Sequence, residues 1–183
     1  DSRKGKAPGA YSTVFNMRKR AFIFQNAVGT ANDVGTLLHE SGHSFHTFEM
    51  AGLPLQWDHA IPMEIAEVAS MAMELLAAPY LGEFYADDEL LRTRIEHLEG
   101  TLAFLPYMAV VDAFQHWIYE NPGHSHAERD AQWSALMARF VPGVDWNGLQ
   151  DEHASYWQRQ LHIYQYPFYY VEYGIAQVGA WQV

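Results

Sequence analysis

Cysteine is absent from all 183 residues, and with it go disulfides, thiolate metal sites and thiol nucleophiles. Any metal held by this chain must be held by histidine and carboxylate. Basic residues are scarce: 11 Lys and Arg stand against 22 Asp and Glu, for a net charge of −11. Six of the eleven (Arg3, Lys4, Lys6, Arg18, Lys19 and Arg20) lie in the first twenty residues, so the body beyond them is strongly acidic. Such a body repels nucleic acid and anionic membrane, and neither is expected as a partner. No secretory signal pattern is present, and no apolar run long enough to span a bilayer is free of charge or proline. The expected location is cytoplasmic. What the chain does have is apolar surface, 49% hydrophobic and 15% aromatic by residue. That is enough for one sizeable core, so residues 1–183 are expected to form one domain.

The stretch TLLHESGHSF, residues 36–45, contains His39-Glu40-Ser41-Gly42-His43, an H-E-x-x-H pattern in a segment that reads as helix. A separation of four is just over one helical turn, so both imidazoles leave the same face and can converge on one metal ion. Glu40, one step round the helix, can stand beside the ion without being a ligand. Two neutral nitrogen donors, an open coordination position and a nearby carboxylate are what zinc hydrolysis needs.

Around this segment the chain reads as mainly α, with a small β-hairpin near the N-terminus. Residues 1–10 have no period. Residues 11–17 and 21–26 are β-prone and separated by Arg18-Lys19-Arg20, which predicts a hairpin. Thr30 followed by Asp33 is a capping signal, so the metal helix is expected over 31–51. Pro62 opens a second helix to about residue 81. On its Ala, Met and Leu background stand Glu64, Glu67, Ser70 and Glu74, at offsets that share one side. A carboxylate stripe on an apolar helix is costly unless it meets cations or a metal. Residues 84–121 read as a long amphipathic stretch, kinked or broken around Gly100 to Pro106. A helix from Ser125 or His126 to Phe140 and another over 152–164 follow. Tyr164, Tyr166, Phe168, Tyr169, Tyr170 and Tyr173 then crowd into ten residues.

A third ligand must come from elsewhere on the chain. His46 shares the face of His39, but seven residues rise about 10.5 Å along a helix, so it can only support the site. Glu49 stands where an extended H-E-x-x-H-x-x-G-x-x-H pattern has its last histidine, yet His46 replaces the glycine which that pattern needs. The glutamate stripe remains, and geometry leaves Glu64 and Glu67 nearly level.

HESGHSFH followed by MEIAEVASMAMELL resembles the active-site region of oligoendopeptidase F, within the thimet-oligopeptidase-like zinc metallopeptidases. RKGKAPGAY, FIFQNAVGTANDVGTLLHESGHSFH and HIYQYPFYYVEYGIAQ extend the resemblance over most of the chain. It implies a zincin-like catalytic domain with one Zn2+ per chain and oligopeptide substrates. The family's third ligand is the glutamate of the EVAS-type segment, which matches Glu67; Glu74 matches a supporting residue. Glu40 would be the general base. The tail matches a segment whose histidine and tyrosines contact substrate and the developing oxyanion. Here these are His162 and Tyr173, with Tyr166 and Tyr170 nearer the substrate, Tyr169 competing with Tyr170, and Gly29 placed with the substrate contacts. Members of the family usually run to several hundred residues, so the chain is expected to be a catalytic-domain fragment, with self-association through exposed apolar faces. Two rival readings are a helical metal-binding module without catalysis and a carboxydipeptidase-type metallopeptidase.

Overall fold

The structure is a computed structural model that describes residues 3–7 and 9–183. Asp1, Ser2 and Pro8, part of the irregular opening segment, lie outside the described residues. The chain is mainly helical with one two-stranded antiparallel sheet. It divides into two compact units, Asp1–Glu96 with Ile175–Val183, and His97–Gly174.

In the first unit, β1 (Tyr11–Phe15) and β2 (Arg20–Phe24) pair from Tyr11 opposite Phe24 to Phe15 opposite Arg20. A 3-10 turn at Asn16–Arg18 and a left-handed Lys19 connect them. Both strands are shorter than expected because flanking residues bond elsewhere. Met17 lies in the turn, the Gln25 amide donates to Asp33 O at 2.7 Å, and the Asn26 amide donates to Ala7 O and Gly9 O. On one face Tyr11 stacks on Phe24, and Phe15 meets Phe22 edge-on. On the other, the hydroxyls of Ser12 and Ser44 lie 3.1 Å apart and tie the sheet to α1 (Ala31–Met50).

The capping signal before α1 acts through its acidic member. One Asp33 oxygen accepts the N–H groups of Val28, Gly29 and Thr30 at 2.8, 2.6 and 2.8 Å. Gly29 makes this turn at φ +86°, where a side chain would be strained. Then α2 (Met63–Ala77) tightens into a 3-10 turn, Ala78–Glu83, at Pro79, which cannot donate the next helical bond. The span Met63–Glu83 is long and apolar enough to cross a membrane. It nonetheless carries Glu64, Glu67 and Glu74, and Glu67 is buried within the protein.

The division between units falls within α3 (Asp87–Glu120). A kink or a break is expected around Gly100 to Pro106, and the helix is not broken there. Pro106 removes one bond, to the Leu102 carbonyl, and the helix continues because its next turns are anchored: Val110, Val111 and Phe114 are fully buried. They form the core of the second unit with Trp133, Leu136 and Met137 of α4 (His126–Phe140) and with Trp157. Ser125 and Glu128 cap α4 reciprocally. The single helix expected over 152–164 is instead α5 (Gln150–Ser155), a 3-10 turn (Tyr156–Arg159) and α6 (His162–Gln165). Tertiary bonds impose the break. Trp157 is buried with its indole N–H on Asp130 at 2.9 Å, and Gln160 turns extended, at φ −82° and ψ 90°. The last helix, α7 (Tyr170–Ala180), follows a left-handed Phe168 whose N–H donates to Gln115.

Candidate functional site

α1 presents His39 and His43 on one face, with ring centroids 5.1 Å apart and nearly perpendicular. Opposite them α2 presents Glu67, whose Oε2 lies 3.3 Å from His39 Nε2 and 3.7 Å from His43 Nε2. One donor atom from each of His39, His43 and Glu67 lies within 4.8 Å of the others, a group able to hold a metal ion. Donors on adjacent corners of a tetrahedron with bonds of ~2.05 Å are separated by about 3.3 Å, so the set suits a small divalent cation. Glu64, which geometry along the sequence left level with Glu67, is not in the cluster.

The close approach of the helices comes from Gly42, between the two histidines. A Cβ there would collide with the backbone of α2, lying 2.6 Å from Ser70 Cα and still closer to Ala69 O. Ser70 itself is fully buried, and its hydroxyl lies 2.9 Å from Glu67 O and 3.1 Å from Glu67 Oε2. It therefore holds the carboxylate towards the imidazoles. Seven residues on, Glu74 Oε1 lies 2.7 Å from His39 Nδ1, which leaves Nε2 of that ring for the cluster.

Electrostatics separates the two histidines. For His39, burial opposes protonation, but its bonds to Glu67 and Glu74 prevail and push its pKa up to about 10. The two carboxylates on either side of the ring thus favour its protonated form. Burial holds His43 below the usual range, with the charges of His39 and His46 adding to the effect against the pull of Glu67. Burial also raises Glu40, a residue only 6% exposed, whose Oε2 has no hydrogen-bond partner among the described residues.

The tail residues gather in the second unit. His162 lies parallel to Tyr169, with centroids 5.9 Å apart, and meets Tyr170 and Tyr173 edge-on at 5.1 and 5.7 Å. Tyr173 Oη is 3.5 Å from His162 Nε2. Burial pushes the Tyr170 hydroxyl up to about 12, so it stays a donor. Tyr166 is exposed and packs against Tyr169. Gly29 lies outside that group, in the turn before α1, and its N–H is already given to Asp33.

Sequence reasoning missed Gly42 and gave no task to Ser70 or to Gln160, whose side-chain nitrogen lies 2.6 Å from His162 Nδ1. Gly42 had a legible signal, since a glycine inside a helix costs ~1 kcal/mol against alanine and usually has a packing reason. Gln160 had none: its part depends on a break in the helix that only the folded chain shows.

Comparison with known proteins covers the whole chain. The sequence profile described as peptidase family M3 matches residues 1–183. Oligoendopeptidase F, chromosomal, of Lactococcus lactis subsp. cremoris is 28% identical over 178 residues, covering 88% of this chain and 28% of that protein. The structure of PZ peptidase A with an inhibitor superposes with a TM-score of 0.91 at 38% identity, covering 99% of this chain and 32% of the other. A protein assigned as oligoendopeptidase F from Bacillus anthracis str. Ames gives a TM-score of 0.81 at 32% identity, with 99% and 29% covered. The chain thus spans less than a third of the length of each of these relatives.

Proposed function

We propose, from the premise that this chain belongs to peptidase family M3, that it carries the zinc centre of a metallopeptidase hydrolysing peptide bonds in oligopeptides. The observation behind the reading is the convergence of His39, His43 and Glu67 beside a buried Glu40. Those three would hold one zinc per chain. When bound, zinc supplies a Lewis acid that polarises the scissile carbonyl and acidifies a water molecule. Glu40 takes the proton of the attacking water and passes it to the leaving amine. Its burial makes it a stronger base than an exposed glutamate, since the charged form is poorly solvated. Glu74 orients His39 through Nδ1, and His46 tempers the charge on His43.

His162 and Tyr173 serve as hydrogen-bond donors to the substrate and its developing oxyanion, with Tyr166, Tyr169, Tyr170 and Gly29 as substrate contacts. A cytoplasmic location with oligopeptides as partners fits this reading. A metal-holding module without catalysis has no use for a carboxyl buried beside the cluster, and that disfavours it. The test is Glu40→Gln. It keeps zinc and fold, and peptide hydrolysis by the zinc-loaded protein falls by about 10²- to 10⁴-fold, the range for loss of a general base. Equal turnover in variant and parent would refute the assignment.

A further inference from the structure

Three side chains in the second unit form a chain of hydrogen bonds that ends on the ring of His162. Tyr107 Oη donates to Gln160 Oε1 at 3.3 Å. Gln160 Nε2 lies 2.6 Å from His162 Nδ1, and His162 Nε2 lies 3.5 Å from Tyr173 Oη. An amide nitrogen donates and does not accept, so Nδ1 must be the bare nitrogen of a neutral imidazole and the ring proton sits on Nε2. With the amide nitrogen facing His162, its oxygen end accepts from the hydroxyl of Tyr107.

We infer that Gln160 is a positioning residue that holds His162 as its Nε2–H tautomer, so that this nitrogen is a hydrogen-bond donor. The inference rests on the reading of His162 as a donor to substrate and deepens it. It also gives the break between α5 and α6 a purpose. In one continuous helix, residues 160 and 162 would point about 200° apart. The extended backbone at Gln160 brings its amide back onto the imidazole. Tyr169 lies parallel to the ring while Tyr170 and Tyr173 meet it edge-on, so the ring plane is fixed and the remaining freedom is the position of the proton.

The experiment is NMR of the imidazole nitrogens of His162 in the whole chain at a pH where the ring is neutral. The parent protein should give the pattern of a protonated Nε2 and a bare Nδ1. Gln160→Met, close in size and without the amide, should give a mixture of tautomers. Gln160→Glu, whose carboxylate accepts a proton bond from Nδ1, should invert the pattern. Tyr107→Phe, which removes only the anchor of the amide oxygen, should broaden the preference and serves if either Gln160 variant folds poorly. A parent pattern with the proton on Nδ1 overturns the inference, and so does a parent pattern that survives in Gln160→Met. Failure of the functional reading shows separately: His162→Ala with unchanged peptide hydrolysis removes the role of His162 and leaves the tautomer result standing.

Discussion

The two units bury different chemistry. Among the described residues, the buried side chains of the first are small or polar: Glu40, Ser44, Glu67, Ser70, Ala72, Ala176, Gln177 and Ala180, with Leu81 the one large aliphatic. Those of the second are large and apolar: Val110, Val111, Phe114, Trp133, Leu136, Met137 and Trp157, with Gln115 among them. Burying carboxylates beside imidazoles costs free energy unless each charge meets a partner. In the first unit Ser70 meets the Glu67 carboxylate, and the His39 ring lies between Glu67 and Glu74. Aromatic packing in the second unit needs no such compensation. One region buries polar groups that need partners, and the other is built on an apolar framework that also carries His162 and the tail tyrosines.

The sharpest contrast comes from the framework. Trp133→Ala removes a fully buried indole and should destabilise the protein by about 3–5 kcal/mol in denaturant titration. Zinc uptake by the folded fraction should be unchanged. Loss of zinc affinity from folded Trp133→Ala would break the separation drawn between the regions.

At the helix crossing the effects should be reversed in kind. Gly42→Ala places a methyl group against the backbone of α2, and overpacking of this sort costs about 1–3 kcal/mol. Zinc affinity, measured by competition with a chelator, should fall by about 10-fold or more as Glu67 is pushed from the histidines. An unaltered affinity would mean that the close crossing does not set the site.

The smallest effect is a proton. Because the pKa of His39 is raised from 6.5 to about 10, the stability it contributes to metal-free protein is complete below pH 6.5 and is lost as pH rises through 10. Between those limits zinc must displace that proton, so binding should release about one proton per site. Calorimetry in buffers of different ionisation enthalpy measures this, and zinc binding without proton release would show His39 to be neutral beforehand.

The same contrast explains what was legible. The His39/His43 face, the span of α1 and the start of α4 follow from local spacing, and the sequence carries local spacing directly. The choice of Glu67 over Glu64 does not, because it depends on the register of α2 against α1, which Gly42 sets from the other helix. Pro106 reads as a breaker, yet the helix persists because Val110, Val111 and Phe114 are anchored in a core assembled from distant residues. The stretch over 152–164 reads as one helix and is not, because Trp157 is fixed by Asp130, twenty-seven residues earlier. Tertiary partners decide these points, and one segment read alone does not name its partners.

On the proposed function, His39, His43 and Glu67 together hold one zinc. Metal content after dialysis, determined on parent, Glu64→Ala and Glu67→Ala proteins, tests it most directly. One zinc per chain is expected in the parent and in Glu64→Ala, with severe loss in Glu67→Ala. Full retention by Glu67→Ala, with loss in Glu64→Ala, would contradict it.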